Sequence, residues 1–215
     1  MKLLIASLAV LCLVTLSIPA MAQSVVYENG PINGEGLGWT INFGFLVGDC
    51  FTVANPSSTI TGISFGAWLI PGDVLTSAEV WINSEPFLDG TTYFDETLSF
   101  TPSNCFINNY GYNICTETAT FNGPTLSQGV YWLTLGNASV PSGDPVYWDD
   151  NGGAGCHSVG CPSLTWYNAG TIPSEAFTVD GTATSSTGST PEPGSILLFT
   201  SGLLGVAGLL RRKLY

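Results

Sequence analysis

Through the middle of the chain, apolar and polar residues alternate with a period of two rather than 3.6. Trp39, Ile41, Phe43, Phe45 and Val47 alternate with Thr40, Asn42, Gly44, Leu46 and Gly48, the pattern of a strand with one apolar face. Phe51-Thr-Val53 continues it, and Ile63, Phe65, Ala67 and Leu69 repeat it, followed by Ala78, Val80 and Ile82 and then by Leu98 and Phe100. The run Gly129 to Leu135 is apolar on both faces and predicts a central strand, and Ala176 to Val179 predicts a closing one. Asn55-Pro56, Pro71-Gly72-Asp73, Asp89-Gly90, Asn122-Gly123-Pro124 and Ser142-Gly143-Asp144-Pro145 supply turn chemistry between these runs. Strands at this spacing, with no helical window, predict an all-β protein: a single antiparallel β-sandwich or jelly roll over residues 23–180.

Both ends depart from this pattern. Met1-Lys2, the apolar run Leu3 to Ile18 and Ala20-Met21-Ala22 read as a secretory signal peptide over residues 1–22, with cleavage expected before Gln23. Cys12 lies inside the apolar run and not directly after the cleavage site, so lipidation is not expected. Residues 181–190 form a Ser/Thr/Gly tether with too little apolar surface to pack. Next come Pro191-Glu192-Pro193, which resist helix and strand alike, and an apolar transmembrane helix over 195–210 that stops against Arg211, Arg212 and Lys213. Ile196 to Leu210 alone give roughly 22 Å of helix, and the snorkelling basic stems lengthen it towards the hydrocarbon thickness. The basic cluster belongs on the cytoplasmic side, which leaves the body outside.

Charge sharpens the division. The four basic residues are Lys2, Arg211, Arg212 and Lys213, all in the end segments, whereas the acidic residues run from Glu28 to Glu192. A body without Lys or Arg cannot neutralise phosphates, so nucleic-acid binding is excluded and neutral glycans, divalent cations or basic proteins become the expected partners.

Pro191-Glu192-Pro193, the short apolar helix and Arg211-Arg212-Lys213, in that order, resemble the PEP-CTERM sorting signal of Gram-negative bacteria. The resemblance covers the segment 191–215. It implies recognition and cleavage by an exosortase near Pro-Glu-Pro, with a membrane-anchored precursor and then a cell-surface or extracellular protein. The same tail has also been labelled an ice-binding protein C-terminal domain, a label that implies no activity here. More faintly, Val26 to Pro31, Gly38 to Phe43, Phe51-Thr-Val53 and Gly129 to Leu133 resemble the β-sandwich domains of bacterial anchored surface proteins.

Export makes disulfides expected. Cys105 and Cys115 bracket a segment able to fold back as a hairpin, and Cys156 and Cys161 bracket a short loop; these pairs leave Cys50 as a small buried apolar residue. Zinc at Cys156, His157 and Cys161 fails on ligand number and divergence. Asp144, Asp149 and Asp150, beside glycines, offer oxygen ligands for Ca²⁺, although solvated turns that cap their own backbone use the same residues. No other cofactor is implied.

Tyr147-Trp148, Trp166-Tyr167, Tyr110 and Tyr112 are candidates for an aromatic platform on which sugar rings stack, and the same rings also suit core packing. No nucleophile motif, phosphate loop or dinucleotide fingerprint occurs. The sequence therefore reads as an exported, exosortase-processed surface or matrix protein with a non-enzymatic body and no catalytic residues. The alternative is a carbohydrate-binding module using Tyr147, Trp148 and Trp166, with a neutral glycan or exopolysaccharide as its partner; the third reading is a secreted glycoside hydrolase, which needs only two suitably spaced carboxylates.

Overall fold

Two of the alternating runs fuse into one long strand, and the rest of the body is arranged on it. The computed structural model describes residues 24–151, 163–165 and 171–183. Twelve strands occur among them: β1 (Ser24–Asn29), β2 (Gly38–Thr40), β3 (Leu46–Leu69), β4 (Ser77–Asn83), β5 (Thr92–Leu98), β6 (Thr101–Ile107), β7 (Asn113–Thr120), β8 (Thr125–Ser139), β9 (Tyr147–Asp149), β10 (Ser163–Thr165), β11 (Thr171–Ile172) and β12 (Phe177–Ala183). All pairings are antiparallel.

The two halves of β3 serve different partners. From Leu46 to Val53 it pairs with β8, which pairs in turn with β4 and β4 with β5. From Ser58 to Phe65 its other edge pairs with β12, while on the first edge β8 continues through Thr59 and β7 takes over from Gly62 to Leu69; β1 lies beyond β12 and β6 beyond β7. The register shifts between Val53 and Ser57, where Ala54, Asn55 and Pro56 are exposed. Asn55-Pro56, expected to end a strand, therefore sits at an irregularity within one: proline cannot donate to a ladder, and here it meets solvent.

The inward faces of the two halves bury one aromatic-rich core. Phe65 packs edge-on against Phe100 and Trp148, Tyr27 lies between Phe51 and Phe177, and Phe94 stacks on Phe121. β8 is paired on both sides through Leu133 and Leu135, the central position its apolar run predicts. An all-β antiparallel sandwich is thus the architecture.

Two boundaries differ from the periodicity. The expected strand over residues 39–47 breaks after Thr40: Phe43 and Gly44 have positive φ (56° and 83°), and the Phe45 N–H donates to the Asn42 carbonyl in a tight turn. Phe43 consequently faces solvent although its place in the alternation is apolar. At the other end β12 continues through Gly181, Thr182 and Ala183, so the first residues of the expected tether are paired with Ile60, Thr59 and Ser58. The signal segment 1–22, the rest of the tether and the tail with its 195–210 helix lie outside the described residues.

Candidate functional site

Alternation along β3 turns Phe65, Ala67 and Leu69 into the core and leaves Trp68 on the opposite face. Its cross-strand partners are Ile114 on β7 and Tyr147 on β9, so side chains from three strands meet there. Gly38 makes the approach possible: a Cβ at that position would lie 2.8 Å from Tyr147 Cβ and 3.2 Å from Trp68 Cδ2.

The turn between β6 and β7 brings two further rings. Asn108 organises it, its Oδ1 accepting the Tyr110 and Tyr112 N–H groups at 3.0 Å while its N–H donates to the Tyr112 carbonyl at 2.9 Å. Gly111 takes the positive φ of 85° that the turn needs. The Cys105–Cys115 disulfide ties the strands beneath. Tyr110 then stacks on Trp68 with centroids 5.8 Å apart, Tyr112 tilts against Trp68 at 5.6 Å, and Tyr147 meets Tyr112 edge-on at 5.7 Å.

Between these rings and the loop before β2 lies a cleft of about 270 Å³, lined by Gly36, Leu37, Gly38, Trp68, Tyr110, Tyr112 and Tyr147. Trp68 is its floor at 5% exposure, while Tyr110 at 63% and Leu37 at 58% stand at its mouth. Small-ligand sites begin at about this size, with aromatic walls and few polar groups.

Asp149 connects the floor to the wall. Its Oδ1 accepts the Trp68 Nε1–H at 2.6 Å, and its Oδ2 accepts the backbone N–H of Asn33 at 2.9 Å and of Gly34 at 3.3 Å. Burial raises its pKa, against the opposing effect of these donors. Asp49, Asp150 and Glu175 are also buried nearby; burial first, and then the charges of Asp49, Asp150 and Asp149, push the Glu175 carboxyl well above the ordinary range.

The expected site residues are distributed differently from the sequence reading. Tyr147, Tyr110 and Tyr112 come together at the cleft. Trp148 does not: it is 0% exposed, packed edge-on against Phe65 and Phe177, with its Nε1–H donated to the Ala176 carbonyl at 3.0 Å. Being next to Tyr147 on a strand sends it to the opposite face, which removes it from any platform. Trp166 lies outside the described residues, as do Cys156, Cys161, Pro191, Glu192, Pro193, Arg211, Arg212 and Lys213.

Cys50 is disulfide-bonded rather than the free buried thiol expected, because counting sequence-adjacent pairs ignores which cysteines the sheet brings close. Of the calcium candidates, Asp149 is occupied by Trp68 and the loop, Asp150 is buried on the bridge to Glu175, and Asp144 lies in the Ser142–Pro145 turn with its N–H on Ser142 Oγ. Among the described residues no group of three or more His, Cys, Asp or Glu is placed to hold a metal ion, and no helix is long and apolar enough to cross a membrane.

Trp68, the floor of the cleft, was missed, although a signal existed: an indole on the polar register of an alternating strand must face away from that strand's core. Among curated proteins nothing matches the chain. Over residues 189–213 it matches the PEP-CTERM protein-sorting motif, which implies export in a bacterium, processing by an exosortase and delivery to the cell surface or the extracellular space.

Proposed function

We propose that the exported body is a non-enzymatic surface or matrix module of a Gram-negative bacterium, and that it binds a glycan in the cleft floored by Trp68. The observation that supports this is the convergence of Tyr110, Tyr112 and Tyr147 over Trp68 in one open cleft. Aromatic faces receive the C–H faces of sugar rings, and a cleft held by a disulfide-tied hairpin and by Asp149 is pre-organised, which lowers the ordering cost of binding. The missing Lys and Arg exclude acidic sugars as the preferred class, because nothing in the body neutralises them.

The tail supplies delivery. The apolar 195–210 segment holds the precursor in the membrane until the exosortase cuts near Pro191-Glu192-Pro193, and the acidic body then reaches the exopolysaccharide outside. Calorimetry of the full-length protein in detergent against neutral oligosaccharides tests the binding, with saturable heat expected and its loss in Tyr110→Ala. Absence of saturable heat with every glycan tried would remove the glycan reading. Deleting the exosortase tests the sorting: a larger, membrane-held form accumulates, and unchanged release would refute processing by that enzyme.

A further inference from the structure

The charge around the cleft is one-sided in a way that narrows the ligand. Glu35, exposed, directly precedes the lining residue Gly36. A Cβ at Gly36 would lie 3.4 Å from the Asp150 carboxyl carbon, so this carboxylate stands immediately behind the glycine wall. Asp149 accepts the Trp68 indole N–H at 2.6 Å, which pushes electron density into the ring that floors the cleft. Among the described residues there is no Lys, Arg or His to compensate them; the Lys and Arg of the sequence are at position 2 and at 211–213. Four aromatic rings, with the Asp150 carboxylate behind the glycine wall and the acidic Glu35 next to that glycine in the chain, form surroundings that attract an ammonium group, because the ring quadrupole and the local field have the same sign.

Building on the glycan reading, we infer that the sugar this cleft selects carries free amino groups, as in an oligosaccharide of glucosamine units, with one ammonium held against the rings of Tyr110, Tyr112 and Tyr147 and beside Glu35. An N-acetylated sugar lacks the charge, and a uronic acid carries the wrong one. Selectivity here comes from the field and the rings together. A carboxylate-only surface attracts any polycation without a preferred pose; an aromatic cleft alone takes any sugar with an apolar face.

The test uses the full-length protein in detergent at low ionic strength, titrated calorimetrically with glucosamine tetramer, its fully N-acetylated counterpart and a glucose tetramer of the same linkage. The glucosamine tetramer is expected to bind about ten-fold more tightly than either neutral tetramer, the scale of one partly desolvated cation–ring contact. That advantage shrinks in high salt and in Glu35→Gln, where the neutral tetramers keep their affinity. Equal or weaker binding of the glucosamine tetramer overturns the amine inference and leaves glycan binding standing. Binding of none of the three overturns both. Undiminished glucosamine binding by Tyr110→Ala also overturns it, since the attraction would then be of the whole polyanion and not of the cleft.

Discussion

Two carboxylates buried in the same sandwich are treated in opposite ways. Asp49, on the first half of β3, is surrounded by donors: Oδ1 accepts the Cys50 N–H at 2.7 Å, and Oδ2 accepts Asn29 Nδ2–H at 2.9 Å, Ser174 Oγ–H at 2.9 Å and the Glu175 N–H at 2.8 Å. Glu117, on β7, faces Phe65 and Pro102 across its ladders, is 0% exposed, and neither of its side-chain oxygens has a hydrogen-bond partner. Burial alone pushes its pKa up to about 7. In a body without Lys or Arg, a buried carboxyl has two ways to persist: backbone and amide donors that hold the anion, or a proton that removes the charge. Asp49 takes the first and, below neutral pH, Glu117 takes the second.

Asp49→Ala breaks the comparison most severely. It strips acceptors from backbone N–H groups of Cys50 and Glu175 and unties β1 and the segment before β12 from β3; urea unfolding should show a loss of about 4 kcal/mol. A loss under about 1 kcal/mol would mean that the network is incidental.

Glu117→Gln is the next largest, and its effect depends on pH. The folded pKa is raised from 4.5 to about 7, so the folded state binds a proton that the unfolded chain has released between those values. The contribution of this group is therefore complete below pH 4.5 and is lost as pH rises through about 7, a change of roughly 3 kcal/mol at 1.36 per unit. Glutamine, neutral throughout, should match the parent near pH 4 and exceed it by about that amount at pH 8. Parallel stability–pH curves for the two proteins would refute the assignment.

How legible these features were depends on whether they are written along a strand or between strands. Period-two alternation placed Phe65 and Val80 in the core, because each strand's own face decides that, and the run apolar on both faces placed Leu133 on a central strand. It failed at Phe43, where a positive φ in the following glycine and at Phe43 itself redirects the chain, and at Trp148, whose neighbour Tyr147 drew it into the same candidate site. The disulfide within the β6–β7 hairpin needed only local closure, whereas the bridging of Cys50 is a longer-range pairing that spacing along the chain does not record. The cleft required β3, β7, β9 and the loop before β2 to meet, so only its individual tyrosines could be read in advance.

Asp149 stands between the two extremes, buried like Glu117 but partnered like Asp49, and its partners belong to the cleft. In Asp149→Asn one face of the amide can still accept the Trp68 N–H, but its NH₂ then confronts the Asn33 and Gly34 N–H groups. A loss of about 2 kcal/mol is expected, with a red-shifted tryptophan emission as the loop leaves the indole, and with weakened glycan affinity. Unaltered emission together with unaltered affinity would show that the carboxylate does not position the cleft.

The smallest effect on stability separates the cleft from the scaffold altogether. Tyr110 is mostly exposed and is held by one stack on Trp68 and by its backbone bond to Asn108, so Tyr110→Ala should cost about 1 kcal/mol or less. The proposed glycan binding should nevertheless fall steeply, because the ring forms the outer wall of the cleft. A site selected for binding is expected to behave in this way: its outermost residue contributes little to holding the body together, since the turn that presents it is fixed by Asn108 and Cys105–Cys115. If Tyr110→Ala instead cost as much as Asp149→Asn while leaving affinity intact, the ring would be a cover over Trp68, and the exposed wall would have to be sought at Leu37.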